Sequence, residues 1–577
     1  MIRLSSILAG LAIILGACLA AAGATFTVTK TADTNDGTCD ADCSLREAIA
    51  AAAAAGTDDT IEFSALFNTP QTITLGGTDL IITNAGTLTI NGPGADKLTV
   101  SGNGQSRVFT NNTGSVAAIN NLRVTGGTGT STVSTGRGGG VYNSGGTLTL
   151  NGLIVANNTA ANGGGLNNAG TATLTLTNSA VFGNTATGAG GGMQNFAGNT
   201  MNIYNSSIYN NSCNSTTTGG GAMQANGTIN IVNSTFAGNT ANGGSGGAIY
   251  FNGTVINITN STVSANTSTL NGAFHKSGAN PVNVRNSIFA ANNGVAGSPD
   301  VTGAVASLGN NLVGNVGIST GWIASDLQNV APVLSPLGFY GGKGLSYVPL
   351  SGSPALDAGQ NCVTDLSCAA GNPTVAVTSD QRGAARPANT TVDIGAVESS
   401  AVFVAQLPTA TLSQPYNFTL ADNFAGYTFL LNSGGFGGVT LTSGGTSAVL
   451  GGTANQLGSF TGAVQITNGV NSTVVNYTLP VSGVGANVGV NVRVLDAAGN
   501  PVRGALVSLS GSGFTTVYAK TNSLGNCRFA GVPFGANYTL NAESKGLTFA
   551  PLNFPVNAAP TAVTLTAAGS AFTELAK

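Results

Sequence analysis

The chain's 577 residues include 21 carboxylates and 18 lysines or arginines, yet no aspartate or glutamate lies between Asp96 and Asp300. Hydrolysis or elimination by acid–base catalysis needs a titrating group beside the reacting bond. Within that stretch stand Arg107, Arg123, Arg137, Lys276 and Arg285, with no carboxylate to work beside them. Asparagine, serine and threonine, which fill the interval, do not titrate at ordinary pH. No catalytic residue is therefore expected there.

Elsewhere the acids cluster. The loop from Asp33 to Asp42 holds Asp33, Asp36, Asp40 and Asp42, the oxygen-rich chemistry that calcium takes. It lacks the spacing and terminal glutamate of an EF-hand loop, and its other reading is a solvated turn pinned by a disulfide. Asp357, Asp380, Arg382, Arg386, Asp393 and Glu398 form a second gathering. Opposite charges there suggest an ion-paired cap rather than a catalytic set. Of seven cysteines, Cys39 with Cys43 and Cys362 with Cys368 form close pairs in polar loops, read as disulfides of an exported protein. Cys213 and Cys527 are read as free thiols. The lone His275 is far in sequence from both pairs, so no zinc site is expected and no cofactor is implied.

What must position these groups is a repeat. The pattern apolar-x-apolar-x-Asn-Ser-x-apolar recurs at Leu174 to Val181, Ile229 to Phe236, Ile256 to Val263 and Val282 to Phe289. The asparagine after each strand falls at Asn91, Asn121, Asn151, Asn178, Asn205, Asn233, Asn260, Asn286 and Asn311, with gaps of 30, 30, 27, 27, 28, 27, 26 and 25 residues. Short alternating strands at that period, broken by glycine, indicate a parallel β-solenoid whose coils bury their apolar faces only against one another. About nine coils at about 4.8 Å make a rod on the order of 45 Å long. Asn151, Asn178, Asn205, Asn233, Asn260 and Asn286 are expected to stack as a structural ladder at left-handed corners; ligand binding is their other reading. Glycines of a second marker, Gly140, Gly165, Gly192, Gly221, Gly247 and Gly272, are expected to supply positive-φ corners.

These coils resemble exported bacterial right-handed β-helix proteins. Gly246 to Ile249 and the Phe-x-x-Asn runs Phe236 to Asn239 and Phe289 to Asn292 are similar to repeats of polymorphic outer-membrane proteins, with Phe182-Gly183-Asn184 one residue short of that motif. Ser44-Leu45-Arg46-Glu47 opens an alanine-rich helix through Ala55 with a capping box. The run Cys43 to Ile49 matches the motif for which CSLREAI domains are named. Ser353 to Gly359, Asp380 to Gly383 with Arg386-Pro387, and Asp393 to Glu398 resemble the choice-of-anchor Q domain, the closing region of exported β-helix proteins. Residues from about Val402, through Tyr416 to Leu420 and Tyr477 to Leu479, resemble immunoglobulin-like modules. Val492 to Ala505, with Thr521 to Gly525 and Val532 to Gly535, looks like a carboxypeptidase regulatory-like domain, a β-sandwich spacer without peptidase residues.

The expected architecture is all-β: a signal peptide over 1–24, an N-terminal helical cap over 25–60, a right-handed parallel β-helix over 61–400 with its closing region from about 345, and β-sandwiches over 401–484 and 485–577. Met1-Ile2-Arg3 and the apolar Leu4 to Leu19 read as an export signal. Cleavage after Ala24 competes with lipidation at Cys18 of Leu15-Gly16-Ala17-Cys18. The location implied is secreted or on the extracellular face of the envelope, with no transmembrane segment after signal removal. A net charge of −3 without a basic cluster argues against nucleic acid. Lyases and hydrolases on the resembled fold use carboxylates on the lateral face, which these coils lack. The expected function is therefore a non-enzymatic surface protein, monomeric, contacting glycan or a neighbouring cell through Asn, Thr, Ser and Tyr142, Tyr204, Tyr209 and Tyr250. The alternative is a polysaccharide lyase or glycoside hydrolase with catalytic groups supplied from the caps.

Overall fold

A computed structural model describes residues 23–570 apart from 296, 370, 372, 400–402, 423–426, 445–446, 483–486, 512–513, 534–536 and 557–560. The export segment and Cys18 lie outside the described residues. From Thr25 to Gln328 the chain winds as a parallel β-solenoid of about nine turns. Its front sheet has 11 strands, from Thr25–Val28 to Ala306–Ser307, and its back sheet 11, from Gln71–Thr74 to Leu327–Gln328. A side sheet has nine, from Leu80–Ile82 to Val301–Thr302, and a narrow rim sheet has five two-residue strands from Thr159–Ala160 to Thr267–Ser268.

Alternation makes the front sheet. In Thr147–Asn151, Thr173–Thr177, Thr200–Tyr204, Thr228–Val232 and Val255–Thr259 the second and fourth residues point inward and are buried, from Leu148 and Leu150 to Ile256 and Ile258. In-register parallel pairing stacks like on like, Leu174 on Met201 on Ile229 on Ile256. A one-residue slip would turn every apolar side chain outward, so the pattern fixes the register.

The corner after each front strand is left-handed at Asn121, Asn178, Asn205, Asn233, Asn260 and Asn286, with φ of 45–51°. Asparagine tolerates this region because its short amide bonds locally. Asn151 departs from the expected corner: it is the last strand residue, paired with Asn120 and Thr177, and Gly152 takes the positive φ of 69°. The second marker also shifts. Gly140, Gly165 and Gly192 align with Ala222, Ala248 and Ala273, so that position does not require glycine. Positive φ belongs instead to Gly138, Gly163, Gly190, Gly220 and Gly246.

Helix α1, Leu45–Ala55, covers the first coil with Leu45, Ala48, Ile49 and Ala52 in the main core. Its capping box is closed: Glu47 N donates to Ser44 Oγ (3.1 Å) and Ser44 N to Glu47 Oε2 (2.7 Å). Burial alone would raise the Glu47 carboxyl, but the N–H groups of Ser44 and Asp36 and the Lys30 ammonium outweigh it and hold it below its usual range. A depressed carboxyl stabilises fully above the ordinary glutamate range of about 4.3 and loses that contribution as pH falls through the folded value. Protection of the α1 amides, relative to their intrinsic exchange, is therefore expected to fall below about pH 4, with Glu47→Gln showing low protection already at neutral pH. Equal exchange in the two proteins at pH 7 would remove the carboxylate from the cap's stability.

At the far end Trp322 packs against the core, its ring 6.3 Å from Phe289. Residues 332–398 do not lie across this end, as the expected closing cap would. They run back along the outside of the back sheet and over the adjoining edge of the front sheet as a strap. Gln381 Nε2 donates to Ser207 Oγ, Ala396 N to Thr262 Oγ1, and Gly395 N to Asn286 O. Tyr347, Leu334 and Ile394 cover Ala237, Ile288, Ala290 and Leu312. Beyond the strap come a sandwich-like pair of five- and three-stranded sheets, Phe403–Ser482, and a four-plus-four pair, Asn487–Ser570.

Candidate functional site

Arg107, Asp79 and Asp300 of the solenoid are each engaged by buried structural partners. Arg107 is fully buried and donates to the carbonyls of Val133, Ser134, Arg137 and Gly138 and to Thr110 Oγ1. A carboxylate does reach it from outside the acid-free stretch: Asp79 lies 3.5 Å from Nη1 and accepts from Thr110 and Ser131. Burial lowers the Arg107 pKa to about 10, so it stays cationic at neutral pH. At the other boundary Asp300 terminates a file of buried amides, accepting from Asn292 N and Nδ2 and from Asn315 N. Burial pushes the Asp300 carboxyl up, against those donors.

The strap's charges are equally occupied. Arg382 Nη2 pairs with Asp380 (2.7 Å) and Arg386 Nη1 with Glu398 (2.7 Å), and Asp380, Asp393 and Glu398 are each buried to within about 1 %. Asp393 accepts from Asp357 N and Ser399 N; its burial pushes its carboxyl up to about 7. Asp357 itself is exposed, taking one bond from Asn389.

The proposed calcium ligands are not brought together. Asp33 is bound by Arg46 and Gly76 N, Asp36 by Thr38, Asp40 by Asp42 N, and Asp42 by Lys30. Among the described residues no group of three or more metal-ligating side chains is arranged to hold an ion. Each carboxylate is spent on a cation or on its own turn. The two disulfides are formed, Cys39–Cys43 and Cys362–Cys368, with Cα separations of 4.5 and 4.8 Å. Cys213 and Cys527 are free; burial in the rim sheet's alanine file pushes the Cys213 thiol up to about 11, which suppresses thiolate chemistry.

The corner asparagines bond in part to one another. Asn178 Nδ2 donates to Asn151 Oδ1 (3.0 Å), Asn205 to Asn178 (3.4 Å), Asn233 to Asn205 (3.2 Å) and Asn286 to Asn260 (3.3 Å). The file is interrupted where the strap arrives: Asn260 donates to Asp393 O and Asn233 also to Ser379 O. These corners thus receive the strap.

A deeper file was only half-visible in the sequence. Asn158, Asn184, Asn211, Asn239, Asn266 and Asn292 are buried, and each of the first five donates from Nδ2 to the next Oδ1 at 2.8–3.0 Å. Each of the last five also accepts, on that Oδ1, from the preceding asparagine's backbone N–H. The inward residue three positions earlier is Val155, Val181, Ile208, Phe236, Val263 or Phe289. The rule is apolar-x-x-Asn, and Phe182 falls one residue short because Val181 holds the equivalent place.

The four tyrosines do not share a face. Tyr204 lies under the strap with its hydroxyl on Thr374 (2.9 Å), and Tyr209 stacks on Phe182 beside the strap's apolar patch. Tyr142 and Tyr250 belong to the side sheet's outward row, Tyr142, Asn167, Gln194, Gln224, Tyr250 and His275, of which all but His275 are buried.

The front sheet is open over its first and middle outward rows, while its last row, Tyr204, Val232, Thr259 and Arg285, lies under the strap. Its outward middle row runs Thr149, Thr175, Asn202, Asn230, Asn257 and Asn283 in register. Asn202 donates to Thr175 Oγ1 (3.2 Å), Asn230 to Asn202 (2.9 Å), Asn257 to Asn230 (2.9 Å) and Asn283 to Asn257 (2.8 Å). Beside it runs Thr147, Thr173, Thr200, Thr228 and Val255. Bonded head to tail, the amides are fixed in orientation; Asn202, Asn257 and Asn283 are half-buried and keep donor and acceptor capacity toward solvent, while Asn230 is buried between them.

Residues 489–568 match the family of the carboxypeptidase regulatory-like domain, which accounts for the last module. No curated protein matches the chain. Among solved structures it is similar to the pectate lyase Pel9A (13% identity, TM-score 0.37, covering 65% of this chain and 96% of that one). It is also similar to the Bacillus anthracis TIE protein (13% identity, TM-score 0.17, 28% of this chain) and to a variant of BcpA, the major pilin subunit of Bacillus cereus (9% identity, TM-score 0.13, 26% of this chain). The chain spans 38% and 56% of the last two.

Proposed function

We propose that this is a non-enzymatic exported β-solenoid protein that contacts neutral glycan through its front sheet. The observation that carries the reading is the head-to-tail row Thr175, Asn202, Asn230, Asn257 and Asn283: a pre-ordered line of neutral donors and acceptors, free of carboxylates along its length. Orienting the amides in advance lowers the ordering cost of holding sugar hydroxyls. The nearby acids support it too, since Asp79, Asp300, Asp380, Asp393 and Glu398 are buried and engaged by structural partners. Two disulfides fit an oxidising compartment, and among the described residues no helix is long and apolar enough to cross a membrane. The CSLREAI-like start, the anchor-Q-like strap and the immunoglobulin-like module belong to the same reading, as parts of a rod displayed at the bacterial surface.

The test is a neutral-glycan array with the purified chain, beside a panel of lyase and hydrolase substrates. Asn230→Leu with Asn257→Leu is expected to cut glycan binding at least tenfold while the melting temperature stays close to the parent's. Turnover of any polysaccharide, or undiminished binding by the double variant, would overturn the assignment.

A further inference from the structure

The last module carries a cationic hollow that the neutral solenoid face does not explain. Between Asn487 and Ser570 there are five basic residues, Arg493, Arg503, Lys520, Arg528 and Lys545, against the two acids Asp496 and Glu543. Two of the arginines share one face. The sheet ordered Asn526–Pro533, Asn487–Leu495, Thr561–Ser570, Leu547–Phe549 buries Val490, Val492, Val494 and Phe529 on its inner side. Alternation therefore puts Asn491, Arg493, Asn526, Arg528, Ala562 and Thr564 on the outer side, all exposed.

Register places the cations diagonally. Arg493 faces Asn526 and Asn491 faces Arg528 across one antiparallel pair, so the two arginines are diagonal neighbours, about 7–8 Å apart. A hollow of about 530 Å³ lies over them, lined also by Asn522 and Thr564. No acid stands on this outer face: Asp496 is turned into its own loop, on Ala498 N, Asn500 N and Asn500 Nδ2, and Glu543 is on the opposite sheet. Among the described residues neither guanidinium makes an ion pair or hydrogen bond, and the side-chain amides of Asn491 and Asn526 are likewise unpartnered.

The floor at Gly489 leaves room for the arginine. A Cβ at Gly489 would come within 2.8 Å of Arg528 Nε and Nη2, so the guanidinium lies directly over the glycine. The surrounding side chains, Ala530, Ala562, Thr564 and Thr566, are small, leaving the two forks standing above a low floor.

We propose that this hollow binds the carboxylates of an acidic polysaccharide, a uronate-bearing glycan. A planar guanidinium matches a carboxylate with two parallel hydrogen bonds. The flanking Asn491, Asn526 and Thr564 supply donors and acceptors for neighbouring sugar hydroxyls. Nucleic acid fits less well: affinity for a duplex grows with the number of phosphates neutralised, and two cations without an aromatic platform offer little. The site is separate from the front sheet and does not rest on the function assigned to it.

The experiment titrates the full chain with polygalacturonate by calorimetry, against dextran, dextran sulfate and duplex DNA. Binding of polygalacturonate is expected, tighter than for the other three. Arg493→Ala and Arg528→Ala should each weaken it at least tenfold, and Arg→Lys at either position should fall between, since charge remains but the fork is lost. Gly489→Val should weaken it with the charge unchanged, because its side chain displaces the Arg528 guanidinium. Melting temperatures of the arginine variants should match the parent, and neutral-glycan binding by the front sheet should persist. Equal binding of polygalacturonate by parent and the Arg493→Ala/Arg528→Ala double variant, binding of dextran sulfate or DNA as tight as that of polygalacturonate, or dextran binding that the double variant loses, would overturn the assignment.

Discussion

Replacing Asn211 by alanine is expected to lower stability by about 3 kcal/mol, well beyond the roughly 1 kcal/mol expected of Asn233→Ala, since each buried backbone group left unpaired costs about 1–3 kcal/mol. Asn211 Nδ2 donates to Val181 O, Tyr209 O and Asn239 Oδ1, and its Oδ1 accepts from Asn184 N and Nδ2. The residue is 1% exposed, so water cannot replace these bonds. Asn233 loses less, a bond to Asn205 and one to Ser379 O, and its Oδ1 already lacks a partner. Because coils support only their neighbours, the Asn211 lesion should appear as faster amide exchange in the coils around 181–239 before the rest. Two variants with the same melting temperature would show that the deep file contributes no more than the corner file.

The contrast follows what was legible in the chain. Alternation such as Thr-Leu-Thr-Leu exposed the front sheet because a period of two with a buried face has few other solutions, and the corner asparagines followed from its ends. The deep file was harder to read. Its apolar partner varies among Val, Ile and Phe, so a search keyed on phenylalanine caught Asn239 and Asn292 and misplaced Asn184. Asn151 follows its apolar strand as the corner asparagines do, but Gly152 supplies the left-handed turn there and leaves Asn151 one place short of it. The glycine marker slipped at Gly221, Gly247 and Gly272 because alanine fits the aligned position as well.

Contacts set by the return of the chain were not legible at all. Asp79 and Arg107 are 28 residues apart in sequence, and only the winding of a coil of that length brings them together. The strap has no period: residues 332–398 form little regular structure, and their place is fixed by side chains such as Gln381 and Asn286 reaching across more than 70 residues. The charged gathering from Asp380 to Glu398 was read correctly as ion-paired, but it locks the strap on itself along the back sheet instead of closing the solenoid's end.

That lock carries the second large effect, the expected loss of about 3–5 kcal/mol on replacing Glu398 by alanine, the range for breaking one side of a buried pair. Glu398 accepts from Arg386 Nη1 and Asp393 N on Oε2 and from Ala388 N on Oε1. Arg386 has no exposed surface on its side chain and otherwise donates only to the carbonyls of Asp393 and Gly395. Burial already lowers its pKa and the Glu398 charge, ahead of Asp380 and Asp393, opposes that, so without Glu398 a guanidinium would be left buried without its ion-pair partner. Replacing both partners by apolar residues, Arg386→Met with Glu398→Leu, should recover most of the loss, since two desolvated charges disappear together. The strap would be released first, because its docking passes through Asn260 on Asp393 O and Thr262 on Ala396 N beside the pair. Hydrogen exchange should therefore rise across 332–398 and over Tyr209 and Ala237, which the strap covers, while front-sheet amides such as those of Leu174 and Ile229 stay protected. If Glu398→Ala instead melted the front sheet in the same transition, the strap would have to be counted as part of the solenoid's own fold rather than as a separable cover on its back.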